Sequence, residues 1–203
     1  MTGSPQKQVL VTLHVNGEAQ SVAVAAQATL LEALRYGLGL TGSKQGCDKG
    51  DCGACTVLAR PLDDAQARAD GCGARGEPIL ACITLAQDAQ TLALTTIEGL
   101  ASPQGLDPIQ QAFADCGALQ CGFCQPGMML SARALLDHTP RPSLPQIQQA
   151  LSGNLCRCTG YTKIYEAVQV AAGTREPSQG VPVRSEPAPG VSGPRVAVEE
   201  IAP

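Results

Sequence analysis

The chain has no tryptophan, two phenylalanines and three tyrosines among its 203 residues. So few rings exclude a large aromatic core or a pocket built to stack a flavin, and leave glycine and alanine to fill the interior. A lysine or arginine block is also missing, and with a formal net charge of -4 the chain is not expected to bind nucleic acid or an anionic membrane surface. No run approaches the ~18 apolar residues of a spanning helix, so direct membrane insertion is not expected. The segment from Met1 to Val15 carries one lysine and a short alternating apolar stretch, without the apolar core or cleavage site of an export signal. Cytoplasmic residence is therefore the default expectation, compatible with export of a folded complex on a partner's signal. There are only two histidines, His14 and His138, read as structural residues in a strand and at a helix C-terminus. No nucleophile-base pair, phosphate loop or paired carboxylates stand out, so no catalytic residue is expected and substrate chemistry belongs to another chain.

Cysteine, in contrast, is abundant, with ten residues. Eight fall into two four-thiol sets: Cys47, Cys52, Cys55 with Cys82, and Cys121, Cys124 with Cys156, Cys158. The first follows the C-x4-C-x2-C spacing with a distant fourth cysteine that suits a plant-type 2Fe-2S site. Its loop, Gly46-Cys47-Asp48-Lys49-Gly50-Asp51-Cys52-Gly53-Ala54-Cys55, has glycine beside or between the ligands, so the backbone can curl and aim N-H groups at a cluster's sulfides. Cys72 and Cys82 compete for the fourth position. Cys72 lies in a polar loop and Cys82 in the apolar run from Pro78 to Ala86, so Cys82 is chosen and Cys72 is read as incidental. Cys116, on an apolar helical stripe, is read as a small core residue.

The second set is joined by helices. Cys121 and Cys124 precede a helix of about 13 residues (~20 Å), and Cys156 and Cys158 follow one of about 9 (~14 Å). Folded as an antiparallel hairpin, these would return all four thiols to one place. Thiolates also hold zinc, so a zinc-stabilised binding module is the alternative at both sites.

Periodicity divides the chain. Val9, Val11, Leu13 and Val15 alternate up to Asn16-Gly17, and Val22 and Val24 resume the alternation, which predicts a hairpin. A helix from Leu30 to Leu38, a strand at Thr56 to Leu58, a surface loop from Ala59 to Pro78 and a closing strand from Thr91 to Ile97 complete a small α+β unit. Beyond it, four short helices are expected, opening at Asp107-Pro108, Pro126, Ser143-Leu144 and Thr162. The domains are drawn at 1-98, 99-173 and a Pro/Gly-rich extended tail at 174-203.

The segments Gly46 to Thr56, Gln120-Cys121-Gly122-Phe123-Cys124-Gln125-Pro126-Gly127 and Gly153-Asn154-Leu155-Cys156-Arg157-Cys158-Thr159-Gly160-Tyr161 closely resemble the small iron-sulfur subunit of the molybdenum hydroxylases, the xanthine oxidase family. The resemblance spans roughly residues 8 to 172. It implies an α+β fold, a plant-type ferredoxin-like (β-grasp) domain with one 2Fe-2S cluster followed by a four-helix-bundle domain with another. It implies a large molybdopterin-binding partner subunit, with Gln120 contacting the pterin and the second cluster nearer to it. Electrons would leave by the first cluster for a flavin (FAD) subunit or a c-type cytochrome carrying haem. The reaction implied is hydroxylation of an aldehyde or an N-heteroaromatic carbon, and a free-standing ferredoxin is the alternative of related kind. Two departures from the family pattern are Gln125, where a small hydroxyl residue is usual, and the long loop from Ala59 to Pro78.

Overall fold

Strict alternation in the first strand places Val11, Leu13 and Val15 fully inside while Leu10 and the polar residues face outward. In the computed structural model, which describes residues 7–63, 76–103 and 105–178, this strand is β1 (Gln8–Val15), paired antiparallel with β2 (Glu18–Ala25). Asn16 and Gly17 both take positive φ, 53° and 89°, the geometry a two-residue turn needs to match strand twist. Next, α1 (Leu30–Glu32) begins with a capping box between Thr29 and Glu32, then loosens into a π turn over Ala33–Gly37. The Leu38 amide accordingly reaches back to the Ala33 carbonyl at 2.9 Å. The expected helix therefore holds only one regular turn.

Three further strands complete a mixed five-stranded sheet: β3 (Thr56–Pro61), β4 (Glu77–Leu80) and β5 (Leu92–Thr95), in the order β2-β1-β5-β3-β4. The parallel pair is β1 with β5, and the other neighbours are antiparallel. Here the sequence expectation needs correcting. The loop expected from Ala59 to Pro78 is strand at both ends, because Ala59 pairs with Glu77 and Leu58 with Pro78. Pro78 is tolerated because β4 is an edge strand. The closing strand is also shorter than expected, with 3-10 turns at Asp88–Thr91 and Ile97–Gly99 on either side.

Four helices follow: α2 (Pro108–Asp115), α3 (Gln125–His138), α4 (Leu144–Ala150) and α5 (Thr162–Ala171). Asp107 with Gln110, and Ser143 with Gln146, form reciprocal capping boxes at the expected starts of α2 and α4. Pro126 stands second in α3, one residue inside the observed start. Ile109, Phe113, Met128, Ile147, Ile164 and Val168 are wholly buried and make one core with Cys116. The sheet side has its own core from Val11, Leu13, Val15, Leu30, Leu34, Val57 and Leu94. Leu130 and Ala134 of α3 meet Leu58 and Leu100 in a third cluster, so α3 lies over the outer face of β3. His138 at the end of α3 pairs with Glu77 of β4 at 2.7 Å.

The tail expectation is corrected at its first residues. After Gly173 (φ 62°) the chain turns back along α5. Thr174 donates to the Gln169 carbonyl, and the Ser178 amide donates to Glu166 Oε1 at 2.8 Å. Glu166, 3% exposed, also meets Lys163 at 3.2 Å and Arg175 at 3.7 Å. The remainder of the tail and Cys72 lie outside the described residues.

Candidate metal centres

The first ligand loop is wound by backbone geometry and pinned by cations. Asp48, Gly50 and Gly53 take positive φ of 54°, 86° and 70°, a succession that turns the chain around a point. Upstream, Arg35 Nη1 donates to the carbonyls of Thr41 and Ser43 at 2.8 and 2.7 Å, and Lys44 Nζ to those of Thr41 and Gly42. This clamp fixes the approach to Cys47. Cys82 comes in from the turn after β4, where the Ala81 amide bonds to the Cys55 carbonyl.

The thiols of the first set lie in two facing pairs. Cys47 faces Cys52, Cys55 faces Cys82, and Cys52 feels the charge of Cys82. Hydrogen bonds from the Lys49 backbone, then the Cys52 backbone, bring the Cys47 thiol down to about 7, and the Asp51 amide also donates to its sulfur at 3.3 Å. Burial drives Cys55 the other way, to about 12. A cation at this point would be needed to hold Cys55 as thiolate at neutral pH.

In the second set, too, the thiols face one another in pairs. α3 leads away from Cys124, and α4 returns to the Gly153–Asn154 bend. Cys158 donates to Cys121 across 3.6 Å, and Cys124 faces Cys156. Burial, then the neighbouring Cys156 thiol, pushes Cys124 up to about 12. Burial also works to raise Cys156, but hydrogen bonds from the Thr159 side chain and amide outweigh it and leave this thiol below its ordinary range. Thr159 Oγ1 stands 3.2 Å from the Cys156 sulfur. Cys121 and Cys158 are exposed, beside Leu119, Phe123 and Leu155, which are 48%, 45% and 56% exposed. Gln120 sits on the same exposed rim.

Among the described residues, no three His, Cys, Asp or Glu side chains are grouped as one mononuclear ion requires. The thiols instead lie in pairs. Two thiols on each side of a centre are the donor set that a 2Fe-2S cluster takes, two thiolates to each iron, so the residues present fit that group at both places.

The two ligand loops touch. The Leu155 amide donates to the Cys52 carbonyl at 2.9 Å, and Asn154 Nδ2 donates to the Gly53 carbonyl at 3.0 Å. A Cβ on Gly53 would stand 2.3 Å from the Gly153 carbonyl oxygen, and one on Gly127 would stand 2.3 Å from that of Gly53. Both glycines are required by close approach. The sequence reading missed this contact, although Gly53 and Gly127 lay within the motifs it used. Gln125 is buried and its Nε2 donates to the Ala118 carbonyl at 2.8 Å, while its Oε1 has no hydrogen-bond partner among the described residues.

Comparison with known proteins agrees with this layout. Residues 13–87 match the model of a 2Fe-2S iron-sulfur cluster binding domain, and residues 96–169 match that of a 2Fe-2S binding domain. The chain is 43% identical over 164 residues to the nicotinate dehydrogenase small FeS subunit of Eubacterium barkeri, covering 81% of this chain and 95% of that one. The chain belongs to the small iron-sulfur subunits of the molybdenum hydroxylase family. Another of these small subunits, that of nicotine 6-hydroxylase from Paenarthrobacter nicotinovorans, is 44% identical over 172 residues, which is 85% of this chain and 94% of that one. Among solved structures, quinoline 2-oxidoreductase from Pseudomonas putida 86 superposes with a TM-score of 0.71 at 38% identity, covering 82% of this chain and 94% of the matched chain. The fold, a sheet unit followed by helices, is thus that of the small subunits of this family. Among the described residues, no helix is long and apolar enough to cross a membrane.

Proposed function

We propose that this chain is the electron-relay subunit of a heteromeric molybdenum hydroxylase, working beside a large molybdopterin-binding subunit in the oxidation of an aldehyde or an N-heteroaromatic substrate. Relatives named for nicotinate, nicotine and quinoline support the heteroaromatic class, and relatives named as aldehyde oxidoreductases support the other. A 2Fe-2S cluster, when bound, supplies a carrier for one electron at a time.

In this reading Cys47, Cys52, Cys55 and Cys82 hold the first cluster from a ferredoxin-like β-grasp domain, residues 1-98. Cys121, Cys124, Cys156 and Cys158 hold the second from a four-helix domain, residues 99-173. Gln120, on the exposed rim beside Cys121, contacts the pterin, and the apolar side chains around it give the large subunit a surface to dry. The first loop, on the sheet unit, faces the acceptor, a flavin subunit or a c-type cytochrome. The single observation that carries the proposal is the direct hydrogen bond from Leu155, next to Cys156, to Cys52. Two carriers held by loops in contact are built for transfer between them, whereas a binding module stabilised by zinc has no use for that contact.

The test is low-temperature EPR of the dithionite-reduced complex together with iron, zinc and molybdenum analysis. Two distinct 2Fe-2S signals with about four irons per chain are expected. A silent spectrum with zinc in place of iron would overturn the proposal.

A further inference from the structure

One side chain grips both flanks of the contact between the ligand loops. The Tyr161 hydroxyl accepts from the Cys156 amide at 2.8 Å and donates to the Asn154 carbonyl at 2.9 Å. Between those two residues lies Leu155, whose amide reaches the Cys52 carbonyl. Both hydrogen-bonding capacities of the hydroxyl are thus spent on the tripeptide that meets the other loop.

The backbone of Tyr161 is held against its preference to make this possible. Its φ and ψ of 66° and -17° lie in the left-handed region, which a ring-bearing residue seldom adopts unless its surroundings hold it there. Those surroundings are visible. The Tyr161 amide donates to Thr159 Oγ1 at 3.2 Å, its carbonyl accepts from the Tyr165 amide at 2.9 Å, and its ring stacks on Tyr165 with centroids 5.7 Å apart. Strain that is retained and directed at a ligand loop points to a functional demand on the loop's position.

We infer that Tyr161 is a positioning residue for electron passage between the two centres. The inference rests on the reading of both thiol sets as 2Fe-2S sites. The hydroxyl keeps Asn154, Leu155 and Cys156 in register with Cys52, so the shortest bonded route from one ligand loop to the other, Cys52 carbonyl to Leu155 amide to Cys156, stays closed. It also occupies the Cys156 N-H. Hydrogen bonds to cluster sulfur stabilise the reduced state and raise the potential. An amide engaged by oxygen is withheld from that role.

Tyr161→Phe removes only the hydroxyl. In the purified complex, the variant is expected to load both clusters, to show an upward shift in the midpoint potential of the second centre alone, and to pass electrons between centres several-fold more slowly in rapid-freeze EPR. A variant that unfolds at lower temperature but keeps the wild-type potential and transfer rate would reduce Tyr161 to a prop and overturn the inference. Should Tyr161→Phe fail to load iron, 3,5-difluorotyrosine placed at 161 alone, measured at mildly acidic pH where its more acidic phenol stays protonated, keeps the ring and weakens the hydroxyl as acceptor. It is expected to shift the second potential in the same direction by less, and an unmoved potential overturns the inference. Failure of the underlying reading is distinguishable, because the wild-type complex itself would then lack one or both 2Fe-2S signals.

Discussion

The Leu155 amide donates to the Cys52 carbonyl across 2.9 Å, joining the neighbour of Cys156 in the second thiol set to Cys52 of the first. Because Gly53 follows at once with φ of 70° and no room for a Cβ, the contact depends on glycine there. Gly53→Ala is expected to destabilise the chain by roughly 2–5 kcal/mol, from left-handed strain and a backbone clash together. Thermal unfolding and iron content would both fall. Unchanged iron at an unchanged melting temperature would show the loops to be independent.

Ligand choice within the first set separates cleanly between two cysteines. Cys82→Ser should abolish the first EPR signal and leave the second, since Cys82 faces Cys55 directly. Cys72→Ser should leave both signals as they are. The reverse pattern would exchange the two assignments.

At the exposed rim, Gln120→Ala is expected to spare both clusters and the fold, because its side chain is open to solvent in the isolated chain. Substrate-driven reduction of the iron centres in the complex should slow by about five-fold, the scale of one lost hydrogen bond of about 1 kcal/mol. Dithionite reduction should be unaffected. Equal substrate-driven rates would remove Gln120 from the interface.

Acid sensitivity of the C-terminal latch follows from Glu166. Hydrogen bonds from the Ser178 side chain, acting first, then its amide and Lys163, hold this carboxyl at about 2, against an ordinary 4.5. A depressed folded-state value means the stabilisation is complete above about 4.5 and drains away as pH falls toward 2. Glu166→Gln should therefore cost roughly 1–3 kcal/mol at neutral pH and progressively less below pH 4.5. Amide exchange at Ser178 is the direct readout: protection independent of pH between 5 and 2 would contradict the latch.

Much of the architecture was legible because it is written in local chemistry. Asn16-Gly17 declared its turn, and Asp107 with Gln110 and Ser143 with Gln146 declared their caps, since each signal is completed within four residues. The winding of the cysteine loops was legible because thiol spacing and glycine are sequence-local too. What escaped depends on partners far along the chain. Pro78 and Glu77 read as loop until Leu58 and Ala59 were there to pair with them. The helix from Leu30 loosens after one regular turn into a π turn, which its apolar spacing did not foretell. Glu166, unremarkable in a helical stripe, became an anchor only when the residues after Gly173 folded back on it. Tyr161 was visible in a motif, but its positive φ and its grip on Leu155's neighbours belong to the assembled loops.

The open pair formed by Cys121 and Cys158 also sets a clock on biogenesis. Two accessible thiols that close can surrender two electrons and two protons to dissolved oxygen and join as a disulfide, which would bar iron from that seat. On the proposed function, newly made chains must therefore be metallated, and the open pair covered, before air finds them. Production under low oxygen with generous iron supply is the sensible route to fully charged material.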